Sequence, residues 1–428
     1  MNGPDPGKRR RGAGSALMSR VRGPRPRRRM VPPRGVPSGR RGKKEWRYSD
    51  LAKLFLILLL IPLSYVMNSF PTGYVAEGPG PSFDLQGTLR VEGTPTYPSA
   101  GEIMLTAVSL RESVLFLHLA SLFGGCTLLK ARQYLGEDLD AEGQETMEEL
   151  ITVLSQNTAI VVALRLSGRE VYTEGLGVMV VSTARDYPAY GLLRAGEVIT
   201  AVDGKEVRDA EGLGELLGEV PEGEEAVLEV RGVDQEALEG LAEGEGDASG
   251  LAGLLSGETR EVRVRPVRDP GSGRKVIGVS VRDCFAYRSP VSVKWELNSV
   301  RGPSAGLAMA LALYNALSGE DVTGGWKVAA TGEIFLDGKV GPVGGLPMKV
   351  KAAESQGAEV FLYPRLNQED LEDVSSGMVL IAVDTLEEAL EALRDLRAGP
   401  GGAGREHAAA GAAEKPPLSR RARMRFPR

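Results

Sequence analysis

The stretch Leu51–Phe70, LAKLFLILLLIPLSYVMNSF, constrains this chain more than any other feature. Twenty residues at 1.5 Å per residue make a helix about 30 Å long, the thickness of a bilayer's hydrocarbon core. The only charge inside it is Lys53, near the start. Residues 1–50 carry 16 Lys+Arg against 3 Asp+Glu. By the positive-inside rule this places the N-terminus in the cytoplasm and everything from Pro71 onward outside. A cleaved signal peptide is the competing reading, but no A-x-A-like site follows the run and a 50-residue basic leader is long for a signal. A buried core helix is the third.

The formal net charge of −5 is distributed in blocks. The tail from Arg397 carries 8 basic residues against 2 acidic, which leaves 28 against 52 over residues 51–396, a net of −24. A chain so acidic repels a nucleic-acid backbone, so no nucleic-acid partner is expected. The basic ends, rich in Arg, Gly, Pro and Ala, read as disordered. There are two histidines, His118 and His407, and two cysteines, Cys126 and Cys284. No cluster has the spacing of a zinc site, so neither metal nor cofactor is expected. His118 lies in an apolar helical pattern and His407 in the basic tail, poor settings for a Ser-His-Asp triad. Chemistry here has to come from hydroxyls, carboxylates, lysines or backbone. Cys126 reads as a small buried residue, and nothing demands a disulfide.

The fold expected is α+β, in blocks. Residues 1–50 form the basic cytoplasmic segment and 51–70 the transmembrane helix. Residues 71–168 form a membrane-proximal region with strand-like SFDLQGTLRVEG and GEIMLTAVSL, then helical SVLFLHLASLF and TMEELITVLSQNTAIVVALRL. Residues 169–270 have the grammar of a small β-barrel or sandwich with helices, interrupted by an acidic, Gly-rich insertion at about 233–258. Residues 271–396 form the last ordered domain, and 397–428 the basic tail. Leu193, Ala195, Gly196, Glu197, Ile199, Val202, Asp203, Gly204 and Val207 in the fourth block resemble a PDZ domain of the bacterial protease-associated type. That resemblance puts a carboxylate-binding loop at Gly175, Leu176, Gly177 and Val178, where backbone N–H groups would hold a peptide terminus.

In the last block, RGPSAG at 301–306 precedes the apolar helix LAMALALYNALSG, so Ser304 sits at or beside a helix N-terminus, where developing negative charge is favoured. Alone, a serine there is an ordinary cap or a phosphate site. Lys349, in GPVGGLPMKVKAAESQG, lies among Val343, Leu346, Val350 and Ala353. A lysine of ordinary pKa ~10.4 is neutral in about one molecule in a thousand near pH 7.4, so a base here needs a depression of roughly 3 units, which burial can supply. Lys351 is its rival and reads as solvated.

Together, GPSAGLAMALALYNALSG, AATGEIFLDGKVGPVGGLPMKVKAA and AEVFLYP resemble the proteolytic domain of Lon, a Ser-Lys serine peptidase, over about Val276–Ala392. The resemblance implies Ser304 as nucleophile, Lys349 as general base and Thr331 as the hydroxyl orienting the lysine, with backbone N–H groups at the helix start holding the oxyanion. Unlike full-length Lon, the chain holds no G-x-x-x-x-G-K-[ST]; the nearest approach, Gly332–Val340, fails in spacing and lacks the hydroxyl. The order anchor, PDZ, Lon-type domain resembles the membrane-anchored, PDZ-containing Lon-like proteases of bacteria. It implies an ATP-independent endopeptidase outside the cytoplasm, acting on protein or peptide substrates and able to form homo-oligomers. A non-catalytic PDZ adaptor is the alternative, and a phosphate-binding small-molecule kinase a distant third.

Overall fold

The structure is a computed structural model that describes residues 48–130, 141–234, 237–238, 251–297 and 301–398. His407, nearly all of both basic ends and most of the acidic insertion lie outside the described residues. Helix α1, Tyr48–Ser69, covers the apolar run, and its large apolar side chains are exposed. Among the described residues one further helix is long and apolar enough to cross a membrane, α3 below; two thirds of its apolar window is buried, which marks it as a core helix.

The first half of the chain after α1 gives β1 (Pro71–Asp84), β2 (Leu89–Glu92), β3 (Glu102–Val114), α2 (Leu115–Ser121), β4 (Thr127–Lys130) and α3 (Ala141–Leu166). Next come β5 (Tyr172–Thr183), β6 (Val198–Val202), α4 (Ala210–Glu219), β7 (Ala226–Val233), β8 (Leu255–Val264), β9 (Val279–Arg288) and β10 (Ser292–Trp295). The last part holds α5 (Gly306–Ser318), β11 (Lys327–Ala330), α6 (Leu346–Ser355), β12 (Val360–Pro364), β13 (Val379–Val383) and α7 (Leu386–Ala398). The fold is mixed α+β, as the sequence pattern predicts.

The strands do not respect the expected blocks. One six-stranded sheet runs β13-β12-β11-β3-β1-β4, joining strands from 71–130 to strands from 327–383. At its centre β3 lies parallel to β11, with Ile103 opposite Val328 and Leu105 opposite Ala330. Alternation along these strands sends successive side chains to opposite faces. Ile103, Leu105, Val328, Ala330, Val360 and Leu362 pack with the apolar residues of α5 and α7. Met104, Ala329 and Phe361 pack with Leu346, Val350 and Ala353 of α6 on the other face. The membrane-proximal region and the last block are therefore one body, since neither set of strands has enough neighbours to close this sheet alone.

The second sheet, antiparallel and built from 172–288, runs β9-β5-β6-β7-β8 with a short sixth strand on β6. It is inserted between the two halves of the first. β9, expected with the last block, pairs along the whole of β5, from Val279 opposite Thr183 to Arg288 opposite Tyr172.

Candidate active site

Ser304 lies in a single 3-10 turn, Pro303–Ala305, that runs straight into α5. The turn is clamped from two sides. From α3, the Thr152 hydroxyl accepts from the Gly302 N–H at 2.7 Å and the Ser155 hydroxyl donates to the Pro303 carbonyl at 3.1 Å. From the loop after β11, the Gly332 N–H donates to the Ser304 carbonyl at 2.9 Å and the Leu307 N–H to the Gly332 carbonyl at 2.9 Å. Gly306 has to be glycine, because a Cβ there would press on Ile334 at 2.9 Å.

Lys349 enters from α6. Gly345 starts this helix with φ +66°, a left-handed conformation that suits glycine, and Pro347 occupies its first turn. The Lys349 ammonium carbon chain is packed away, with the residue 2% exposed. Its Nζ lies 2.5 Å from Ser304 Oγ and 3.1 Å from Thr331 Oγ1. Thr331 is fully buried, accepts from Lys349 and donates to the Ser304 carbonyl at 3.1 Å, so one hydroxyl ties the Lys349 amine to the Ser304 turn. The three residues singled out in the sequence meet at one point. Lys351 points elsewhere: it is exposed, with Nζ 2.7 Å from the Gly124 carbonyl.

Burial pushes the Lys349 amine down from 10.5 to about 8, against the opposing charge of Glu77. Glu77, on β1, is missing from the sequence reading. It is 5% exposed, and burial raises its carboxyl above the usual range while the Lys349 charge lowers it. It reaches the site because β1 lies beneath α6 and because Gly345 leaves room for it; a Cβ at Gly345 would collide with the Glu77 carboxylate. The available signal was an acid amid buried Val75 and Ala76 on a strand, together with the glycine pair Gly344–Gly345.

Gly175–Val178 are placed differently from expectation. They lie inside β5, with Gly175 opposite Phe285, Gly177 opposite Cys284 and Val178 between Asp283 and Ile199. Gly175 and Gly177 are thus paired with β9 along one edge, and β6 pairs on the other edge only from Val178 onward. The accessible groove lies one strand over, about 460 Å³ between α4 and residues 275–281, lined by Leu213, Leu217, Ile277, Val279 and Tyr187. β9 is the edge strand on that side. The Ala189 and Ala184 N–H groups donate to the carbonyls of Ile277 and Gly278 at 2.9 and 2.8 Å. In a trans peptide the N–H opposes the carbonyl, so the N–H groups of Gly278 and Val279 face away from those partners. Gly278 has φ +80° and lies against the Tyr187 ring, which leaves no space for a side chain.

β9 also touches the loop that carries Thr331. Arg282 makes an ion pair with Glu333, two residues after Thr331, and both side chains are mostly buried. Its neighbour Asp283 faces the other way and accepts from the Ala210 N–H of α4 at 2.8 Å. Both cysteines are buried and free, and burial pushes the Cys284 thiol up to about 12, which makes it inert.

Comparison with known proteins finds sequence similarity in the last part of the chain. The solved PDZ domain of an SdrC-like protein from Listeria innocua matches 25% of this chain and 93% of its own at 20% identity, with a TM-score of 0.18. The Lon protease of Lachnoclostridium phytofermentans is 45% identical over 94 residues, 21% of this chain and 11% of that protein. Lon protease 2 of Bacillus subtilis is 40% identical over 92 residues, 22% of this chain and 16% of that protein. This chain thus spans only a small part of the length of the curated relatives it matches. The family model of the Lon protease (S16) C-terminal proteolytic domain matches residues 299–394, so this segment carries a serine-peptidase domain of the Lon type.

Proposed function

We propose that the protein is a serine endopeptidase in which Ser304 is the nucleophile and Lys349 the general base. The observation that carries this reading is the 2.5 Å approach of a buried amine, depressed to about 8, to a serine hydroxyl. At that value roughly one molecule in five holds a neutral Lys349 at pH 7.4, against about one in a thousand for an ordinary lysine. Ser304 Oγ attacks the peptide carbonyl as its proton passes to Lys349 Nζ. The protonated amine then delivers that proton to the leaving amine nitrogen, and an acyl-enzyme remains for water to hydrolyse. Thr331 aims the amine. Gly306 and Leu307 spend their N–H groups on the Pro303 and Gly332 carbonyls, so the oxyanion donors are sought one step earlier, at Ser304 and Ala305.

The substrate is an exposed or unfolded polypeptide, cleaved without nucleotide, and α1 anchors the enzyme in a membrane with the catalytic part outside the cytoplasm. The PDZ-type region presents substrate. The edge of β9 beside α4 supports strand addition by an extended peptide, with the Gly278 and Val279 N–H groups suited to a terminal carboxylate. Fluorophosphonate labelling and casein hydrolysis by the full chain test the reading. Ser304→Ala and Lys349→Met are each expected to lower turnover by roughly 10³-fold or more, and addition of ATP to change nothing. Undiminished turnover in either variant would return the chain to the adaptor reading.

A further inference from the structure

Helix α2, Leu115–Ser121, has no buried residue. Leu115, Phe116 and Leu119 are exposed on it, and the chain continues into Leu122 and Phe123, which are 77% and 89% exposed. The spacing i, i+1, i+4, i+7, i+8 lines these five side chains along one stripe. The opposite side is held to the body: the His118 ring meets Tyr74 edge-on at 5.1 Å, and the Cys126 thiol donates to the Leu117 carbonyl at 3.4 Å. Seven residues cannot sustain a helix in water by themselves, and an apolar stripe of this kind marks a surface built to be covered.

Its position in the fold says what covers it. Val114, the residue before α2, pairs with Pro71 at the start of β1. Only Phe70, itself exposed, separates Pro71 from Ser69, the last residue of α1. No linker intervenes between the apolar helix and the strand, so the stripe begins within one strand spacing of the point where the chain leaves that helix.

We propose that the stripe Leu115–Phe123 beds into the surface of the same bilayer that α1 spans, giving the protease a second, interfacial contact with lipid. This rests on the anchor reading of α1. Apolar and aromatic side chains on a short helix lying in the interface are what such a contact requires. Two contacts instead of one fix the orientation of the first sheet, and with it the Ser304 turn, relative to the membrane.

The test uses the full chain in phosphatidylcholine–phosphatidylglycerol vesicles. In a background of Cys126→Ser and Cys284→Ser, single variants Phe116→Cys, Phe123→Cys and, as a control at an exposed position, Leu366→Cys carry an environment-sensitive fluorophore; retained casein hydrolysis shows that each is folded. Lipids with a shallow spin label are expected to quench the probes at 116 and 123 several-fold more than the probe at 366. In the unmodified chain, amide exchange over 115–123 is expected to fall at least tenfold in nanodiscs relative to amphipol. Vesicle-bound protein whose probes at 116 and 123 are quenched no more than that at 366 overturns the proposal. So does protection without lipid quenching, which assigns the stripe to a second copy. Protein that fails to float with vesicles at all refutes instead the anchor reading on which it stands.

Discussion

A lysine becomes a base only where its charged form is penalised, and at Lys349 burial penalises it while Glu77 partly restores it. The first consequence concerns pH. Activity needs the neutral amine, so kcat/KM is expected to rise with pH through an inflection near 8, and Glu77→Gln, by removing the charge that favours the ammonium, to move that inflection lower. A pH–rate profile with the inflection unmoved would show that Glu77 does not act on the base. The second concerns stability. Because the folded-state pKa is depressed, the unfolded chain holds more protons between about 8 and 10.5; stability therefore rises with pH across that window, and below it the buried ammonium costs the fold about 3 kcal/mol at most. Lys349→Met relieves this while losing two hydrogen bonds worth about 1 kcal/mol each. It is expected to raise Tm at pH 6 and to lose that advantage above pH 10.5, as calorimetry would show. Ser304, Thr331 and Lys349 were singled out through the resemblance of their three motifs to the Lon proteolytic domain, since the local pattern around each reads equally well as an ordinary cap, a buried hydroxyl or a solvated lysine. Glu77 was not, because its partner lies on a helix far downstream and only the sheet brings them together.

Among the elements, β9 has two differently employed faces. Asp283 holds the N-terminus of α4 beside the groove, and Arg282 holds Glu333 beside Thr331. A peptide added along this strand, as proposed, would lie one residue from the ion pair that secures the Thr331 loop. Arg282→Gln is expected to lower turnover of casein about tenfold through kcat, with Arg282→Lys recovering part of it; a loss confined to KM would mean that Arg282 serves binding alone. Gly278→Ala is expected to weaken capture of a synthetic peptide bearing a free, apolar C-terminal residue at least tenfold, since strain at its positive φ costs about 1–3 kcal/mol before the contact with Tyr187 is counted. Calorimetric titration of the full chain, with the amidated peptide as control, reads the effect, and equal binding of both peptides by wild type would remove the groove as a carboxylate site. The resemblance put a carboxylate loop at Gly175–Val178, and the structure places those residues within β5, paired with β9. GLG reads as a turn leading into an exposed strand, and only the pairing of β9 along β5 shows that edge to be covered.

For the whole molecule, two long apolar helices look alike by composition and part company by surroundings. α3 packs on α5 and buttresses the Ser304 turn, while the apolar side chains of α1 are exposed. The full chain is expected to resist alkaline carbonate extraction from membranes, and a chain beginning at Pro71 to be released; retention of the shortened chain at high pH would contradict anchoring by α1. The basic flank and the apolar run are the sequence features on which the anchor proposal rests. The partition into blocks was not legible in the sequence, because a parallel pairing between Glu102–Leu105 and Lys327–Ala330 leaves no local trace in either segment.

That pairing has a consequence for how the protein is made. β1 and β3 leave the ribosome well before β11 and α6 exist, and non-local parallel strands are slow to assemble. Glu77 waits on one side of an unfinished sheet, and the amine that it influences arrives only with the C-terminal part of the chain. Lys349 meets Ser304 only once α6 has packed on the finished sheet, so the proposed cleavage can begin only after the last strands have docked.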